Sequence, residues 1–229
     1  MSAVSDTAFL VKTVREETVW DILNRSLFFV KDVVKLSEAK LSDKLDIYDP
    51  DQQQPLVQVR EPEITTFTKA SRLYGGAYDT GSAFDLVANI AGTTHQVLRI
   101  SRPHSTFVLN AAPVDVSDHR GAIMGSFRKL VWTVGRKYRF ADRVCDQTFE
   151  MELRLNIFGS EIGVVIDGKK VAGVVRKWKD SHEEYFRDGK FAYAFWLSPD
   201  IERNNRLRQV LIAFGISHHR VAPLFRGGA

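Results

Sequence analysis

One phrase occurs twice in this chain, and both times it predicts a tight turn followed by a strand. Residues 118–132 read DHRGAIMGSFRKLVW, and residues 167–178 read DGKKVAGVVRKW. In each copy Asp and Gly supply the positive-φ corner of a turn, and the apolar residues that follow suit a strand. Each copy is therefore predicted to be the turn and return strand of a β-hairpin. A chain that repeats hairpins builds an antiparallel sheet.

Alternation of apolar and polar residues predicts further strands. The clearest run is 149–157, in which every second residue is apolar, and similar runs occur at 45–47, 57–59, 84–90, 98–100, 132–140 and 191–197. This period is typical of strands with one buried face. Because a long antiparallel sheet has to hide its edges, the short strands predict a closed barrel or a sandwich. Residues 16–41 fit either two short helices or strands interrupted at Asn24 and Ser37.

A helix is predicted near the C-terminus, from about Pro199 to Phe214. The start has a capping hydroxyl, a proline and two acids, at Ser198, Pro199, Asp200 and Glu202. From Leu207 onward the helix is apolar nearly all round, and such a helix is normally enclosed by protein. The neighbouring arginines make membrane insertion costly, so we expect no transmembrane span. We predict a mainly β protein, a barrel closed around this helix, as a single domain over residues 1–229. Residues 1–42 are left unassigned and a short tail occupies 218–229.

Residue composition and motifs exclude several functional classes. Cys145 is the only cysteine, so the chain has neither an intramolecular disulfide framework nor a zinc site that needs two cysteines. With no signal peptide visible, this predicts an intracellular, cytoplasmic protein. The sequence lacks phosphate-binding loops, the G-x-S-x-G nucleophile motif and the H-E-x-x-H metal motif, and its six histidines are scattered. We therefore predict that the protein is not an enzyme.

Positive charge is concentrated in the later part of the chain. The first 64 residues contain 8 Lys or Arg and 12 Asp or Glu, a net charge of −4, so with +4 overall the remaining residues have +8. Between Arg120 and Arg143 there are seven basic residues and one acid, Asp142; the segment from Lys169 to Lys179 adds five basic residues and no acid. Such segments favour anionic partners such as phosphoinositide headgroups, anionic membrane surfaces and nucleic acid. The alternative is that these charges only keep the protein soluble.

The candidate anion-binding residues come from the two repeats and from the strand that follows the first repeat. On that strand the apolar residues Tyr138 and Phe140 share one face, so Lys137 and Arg139 are predicted to share the outer face. Neighbouring residues on a strand point to opposite faces, so only one member of each Arg-Lys pair can face a shared ligand. The candidates are Arg128, Lys129, Lys137, Arg139, Arg176 and Lys177.

The order of these segments resembles the phospholipid scramblase family. The resemblance rests on DKLDIYDPDQQQPLVQVRE, VLRISRP, the two repeats, the Trp of VVRKWKD and the tail EEYFRDGKFAYAFWLSPDIERNNRLRQVLIAFGIS, and it covers roughly residues 43–217. With the LURP-one-related and tubby C-terminal proteins, that family implies a twelve-stranded β-barrel around a hydrophobic C-terminal helix. It also implies a cytoplasmic protein, peripheral to membranes, with calcium-dependent lipid scrambling as the activity in the family name.

Two departures from the family pattern bear on function. The acidic D-A-D-x-F segment, which the family is thought to use for calcium, corresponds here to Asp188, Gly189, Lys190 and Phe191. One carboxylate cannot supply the six to eight oxygens that calcium takes, so we predict neither a tight calcium site nor another cofactor. The palmitoylated cysteine cluster is replaced by residues 104–107, HSTF. Membrane attachment would then rest on charge alone, and it would be weak and reversible.

Three functional hypotheses follow from the sequence. The leading one is a scramblase-like, tubby-like barrel that binds anionic lipid or a membrane surface, with lipid scrambling or transfer left open. The second is a nucleic-acid or transcription-linked module that uses the basic barrel face. The third is a stress-related structural or interaction protein without a ligand.

Overall fold

Twelve β-strands and two helical segments make up the described part of the chain. The computed structural model describes residues 18–33, 44–49, 54–62, 83–103, 112–130, 137–142, 147–155, 161–176, 191–201 and 206–221. The strands are β1 (Leu27–Asp32), β2 (Lys44–Tyr48), β3 (Val57–Arg60), β4 (Phe84–Ile90), β5 (Gln96–Arg102), β6 (Val114–Ser117), β7 (Ile123–Lys129), β8 (Lys137–Asp142), β9 (Gln147–Leu155), β10 (Glu161–Ile166), β11 (Lys169–Val175) and β12 (Tyr193–Leu197). The helical segments are α1, described over residues 18–23, and α2 (Arg206–Val221).

The strands form one closed antiparallel barrel in chain order. Each strand pairs with the next one, and β1 closes the barrel by pairing with β12. At this closure Phe28 lies opposite Phe195, and their rings stack with centroids 4.6 Å apart. Closure leaves no sheet edge open to pair with another chain. Of the two architectures that strand periodicity allowed, the barrel is confirmed.

Helix α2 lies inside the barrel, as predicted from its apolar second half. Residues 210–216 of this helix, apart from a glycine at 215, are apolar and less than 5% exposed. Phe214 makes edge-to-face contacts with Phe127 of β7 and Tyr138 of β8, at centroid distances of 6.0 and 6.1 Å. The inward residues of the strands and the helix thus form one hydrophobic core. No helix within the described ranges has the length and apolar character that a membrane crossing requires.

The predicted start of this helix is wrong. Residues 198–201 form a turn, in which the Ile201 N–H donates to the Ser198 carbonyl (3.2 Å) and the Asp200 N–H donates to Ser198 Oγ (3.2 Å). Ser198 therefore supports a turn at the end of β12, where the chain leaves the barrel wall, and Ile201 is buried in the core. Among the described residues α2 begins at Arg206, and Glu202 lies outside them. The helix continues to Val221, into the segment 218–229 assigned to the tail.

A buried arginine joins α2 to the N-terminal segment. Arg208, only 2% exposed, donates from Nε to the Leu23 carbonyl (2.7 Å) and from Nη2 to the Asn24 carbonyl (2.8 Å). These carbonyls belong to the last residue of α1 and the residue after it, where such groups lack helical partners. The N-terminal region is thus a helix followed by a strand, which is neither of the two arrangements predicted for residues 16–41. The predicted break at Asn24 is observed, and Ser37 lies outside the described residues.

The two ends of the barrel are distinct. We call the end where α1 meets the start of α2 the entry end. The opposite end is the exit end, because Tyr193, at the start of β12, donates its hydroxyl to the carbonyl of Ile216 near the end of α2 (3.3 Å). Neighbouring strands are antiparallel and follow chain order. All even-numbered strands therefore begin at the exit end, and all odd-numbered strands finish there.

Candidate functional site

Two arginines stand directly opposite each other on the outer face of the barrel. Arg128, next to last in β7, pairs in register with Arg139 of β8, and both are exposed. The adjacent residues Phe127 and Phe140 are buried in the core, which fixes the arginine positions on the outer face. Directly opposite side chains have Cβ atoms about 4.5–5.5 Å apart, and like charges there are destabilising. The predicted outer position of Arg139 is thus observed, and Arg128 is the outward member of its pair.

Only one of these two guanidinium groups has a carboxylate partner. Arg139 Nη2 lies 3.2 Å from Glu150 Oε1 on β9, and the two side chains are 44% and 55% exposed. Arg128 makes no ion pair with any of the residues that the structure describes. The arginine pair, Arg128 and Arg139, therefore has one positive charge more than the carboxylates of the described residues neutralise.

The two candidate lysines next to the arginine pair have different settings. Lys129 is the last residue of β7 and lies opposite Tyr138, whose side chain is in the core. Lys137 is the first residue of β8 and lies opposite Glu152 of β9. Glu152 accepts a hydrogen bond from Arg154 (2.7 Å), and this bond and the carboxylate charge raise the pKa of Arg154 above its ordinary value. The outer face of β9 thus presents acids to β8.

The candidates of the second repeat lie away from the arginine pair. Arg176 is exposed and directly follows β11, so it lies at the exit end, like Arg128. Four strand spacings separate β7 from β11, which is about 19 Å along the barrel wall at 4.7–4.9 Å per strand. One headgroup cannot bridge the two arginines, although both lie at the same end of the barrel. Lys177 and Asp188 lie outside the described residues, so the calcium prediction stays untested.

A second cluster of charges, on β10 to β12, is fully paired. Glu161 accepts a hydrogen bond from the indole nitrogen of Trp196 (3.0 Å) and an ion pair from Lys170 (2.7 Å). The Lys170 ammonium also lies 5.1 Å from the centroid of the Trp196 ring, within range of a cation–π interaction. We call these three residues the tryptophan cluster. The Lys170 ammonium in this cluster is thus paired with a carboxylate, unlike the Arg128 guanidinium.

Two histidines of the described residues have hydrogen bonds within the protein, and no metal-binding group is found among these residues. No group of three or more His, Cys, Asp or Glu side chains within the described ranges is close enough to hold an ion. His218, buried at the end of α2, has Nδ1 2.9 Å from the Gly215 carbonyl and its ring against Tyr193. His119 accepts a hydrogen bond from Arg120 Nε (3.2 Å). These contacts give both histidines a structural setting.

Sequence reasoning missed the acids that separate the basic residues. Glu150 and Glu152 share the outer face of β9, and their alternation with apolar residues was visible in the sequence. Their positions opposite Arg139 and Lys137 depend on strand register, which alternation alone does not fix. Comparison of this chain with models of protein families, with curated proteins and with solved structures gave no match.

Proposed function

We propose that this protein binds anionic phospholipid headgroups at a membrane surface through the arginine pair. The observation that carries the proposal is the direct cross-strand position of Arg128 and Arg139, with Arg128 lacking any ion pair in the described part of the chain. Two like charges placed opposite each other weaken a sheet. An anion between them removes that repulsion, because guanidinium groups donate paired hydrogen bonds to phosphate or carboxylate oxygens.

The ion pair between Arg139 and Glu150 is compatible with exchange for a ligand. Both side chains are about half exposed and their closest N–O distance is 3.2 Å. Exposed pairs of this kind contribute about 0.2–1 kcal/mol, so a headgroup can replace Glu150 at low cost. Attachment by a few such contacts is weak, reversible and sensitive to salt.

The acids on the outer face favour lipid over nucleic acid. A protein on duplex DNA typically neutralises several phosphates along a continuous basic surface. Here Glu150, Glu152 and Glu161 interrupt the outer face between β8 and β11. One headgroup needs only the arginine pair, whereas a phosphate backbone would run into these carboxylates.

The resemblance to phospholipid scramblases is a second, independent support for a lipid ligand. On that basis the chain is a scramblase-like, tubby-like binding module, peripheral to the membrane, and not an enzyme. Scrambling or transfer of lipid would be an activity in addition to this binding. The calcium dependence of the family does not extend to this proposal.

Vesicle sedimentation tests the proposal with two variants that remove one positive charge each. Arg128→Gln removes the arginine without an ion pair; Arg99→Gln removes one that already binds Asp85 through two hydrogen bonds (2.8 and 2.6 Å). Because two parallel hydrogen bonds hold Arg99 on Asp85, whereas a single contact joins Arg139 to Glu150, Arg99 is the less available of the two cations. On phosphatidylcholine vesicles that contain phosphatidylserine, Arg128→Gln should weaken binding roughly five-fold, and Arg99→Gln less than two-fold.

Three outcomes would contradict this function. Equal losses in both variants would mean that net charge alone governs binding. Binding by the parent protein that does not fall as salt rises would remove the electrostatic mechanism. Tighter binding to duplex DNA than to the vesicles at the same ionic strength would favour the nucleic-acid hypothesis instead.

A further inference from the structure

A row of three charged side chains crosses β7, β8 and β9 on the outer face of the barrel. Arg128 pairs in register with Arg139, and Arg139 pairs in register with Glu150, so the order of charges is positive, positive, negative. All three residues are exposed. Neighbouring strands are about 4.8 Å apart, so these charges are evenly spaced across the wall. We call the three residues the charge row.

The residues on both sides of the charge row leave it distinct. Toward the entry end, the next outward positions on the same three strands pair with one another in register and are uncharged: Ser126, Ala141 and Thr148. In the other direction Glu152, the next outward residue of β9, accepts a hydrogen bond from Arg154 (2.7 Å). Glu150 is therefore the carboxylate of β9 that belongs to the arginine pair, and Glu152 has an arginine of its own.

We propose that Glu150 makes the arginine pair selective for an anionic headgroup that also bears an ammonium group. This inference rests on the proposed function and names the headgroup chemistry of the same site. In the free protein Glu150 pairs with Arg139 at 3.2 Å. A headgroup with negative charge alone would take that arginine and leave Glu150 beside a new anion, which is unfavourable. An ammonium on the same headgroup gives Glu150 a cation in exchange for the one it loses.

The phosphoserine headgroup has charges complementary to the charge row. Its phosphate and its carboxylate supply two anions for the two guanidinium groups, and its ammonium supplies a cation for Glu150. The phosphoglycerol headgroup has the same net charge, but it has one anionic group and no ammonium. Exposed ion pairs are weak, so we expect the phosphoserine headgroup to be favoured by about two- to five-fold.

Sedimentation with two kinds of vesicle tests this selectivity. Both consist of phosphatidylcholine, with the same molar fraction of either phosphatidylserine or phosphatidylglycerol. The parent protein should bind the phosphatidylserine vesicles about two- to five-fold more tightly, and Glu150→Gln should bind both kinds about equally. Glu152→Gln is the matched control, because it removes the next outward carboxylate of β9 and changes the net charge by the same amount. It should keep the preference of the parent protein.

The ratio of the two affinities separates selectivity from total charge, since an added positive charge favours both kinds of vesicle. Equal binding of the parent protein to both kinds, or a preference that Glu150→Gln retains, would overturn the selectivity and leave lipid binding intact. A preference lost equally in Glu150→Gln and Glu152→Gln would overturn the role of Glu150. No sedimentation of the parent protein with either kind removes the proposed function itself, and this inference with it.

Discussion

The two repeats form two hairpins that make the same reversal by different means. In the first, between β6 and β7, Asp118 Oδ1 accepts hydrogen bonds from the backbone N–H groups of Arg120 (2.8 Å) and Ala122 (2.9 Å). In the second, between β10 and β11, Asp167 and Gly168 both have positive φ, 48° and 78°. That is the signature of a two-residue type I′ turn. Gly121 of the first hairpin also has positive φ, 81°. Both hairpins thus use a glycine corner, and they differ in the aspartate, which acts through its side chain at Asp118 and through its backbone conformation at Asp167.

The repeated glycines of the return strands also have different neighbours. A Cβ atom on Gly125 would lie 2.5 Å from a ring carbon of Phe140 and 2.7 Å from the backbone oxygen of Ala141. A Cβ atom on Gly173 would lie 2.6 Å from Trp196 Nε1 and 2.7 Å from Glu161 Oε1. Both glycines make room for an aromatic ring of the next strand, but Phe140 is in the core and Trp196 is on the outer face. Both copies of the repeat thus need a glycine at this position, but the side chain that occupies the space belongs to the neighbouring strand and differs between the two copies.

The largest effect should distinguish these two glycines. We expect Gly125→Ala to lower the free energy of unfolding by about 3 kcal/mol, because the backbone oxygen of Ala141 cannot move away and the Phe140 ring is enclosed. Gly173→Ala should cost about 1 kcal/mol, since the Trp196 and Glu161 side chains can shift toward solvent. Urea denaturation of both variants measures the difference. Equal costs would show that the two close contacts are mechanically equivalent, and the proposed contrast between core and surface would be lost.

A smaller effect should distinguish the two turns. Asp118→Ala removes an acceptor of two backbone hydrogen bonds and should cost about 1–2 kcal/mol, whereas Asp118→Asn keeps an acceptor oxygen and should restore most of it. In the second turn Gly168→Ala should cost about 1 kcal/mol, because its φ of 78° is unfavourable for a residue with a Cβ. Thermal unfolding of the three variants tests this assignment. If Asn at position 118 were as damaging as Ala, the hydrogen bonds would not be what supports the first turn.

Much of the fold was predictable because its signals are local. The turn residues, the alternation within strands and the apolar character of α2 all lie within short stretches of sequence. The start of α2 was predicted wrongly because Ser198 and Pro199 suit a turn as well as a helix start. In the barrel they form a turn, because the chain changes direction there to leave the barrel wall. Burial of Arg208 was not predictable, since its acceptors at residues 23 and 24 are distant in sequence.

The candidate site was only partly predictable, for a related reason. Alternation with the core residues Tyr138 and Phe140 placed Arg139 on the outer face. Strand register determines the other two positions: Arg128 lies opposite Arg139 on one side, and Glu150 lies opposite Arg139 on the other. Three strands have to be in register for this arrangement. Strand register depends on the geometry of the turns and on the packing of the core. From the basic residues alone, the sequence could therefore not show that Arg128 faces another arginine while Lys170 of the tryptophan cluster pairs with a carboxylate.

The smallest expected effect concerns the outer faces of the two hairpins. Here two substitutions should change the free energy of unfolding in opposite directions. Arg128 faces a like charge, so Arg128→Gln should leave stability unchanged or raise it by a few tenths of a kcal/mol. Lys170 has an ion pair with Glu161 and a ring contact with Trp196, so Lys170→Gln should lower stability by about 0.5 kcal/mol. Chemical denaturation with urea, which leaves ionic strength low, should reveal both changes, and added salt should reduce them. The measurement is also a control for the vesicle experiment. If Arg128→Gln is as stable as the parent protein, unfolding cannot explain a loss of vesicle binding. If Arg128→Gln instead destabilised the barrel more than Lys170→Gln, Arg128 would be a structural residue and the arginine pair would lose its claim to be a ligand site.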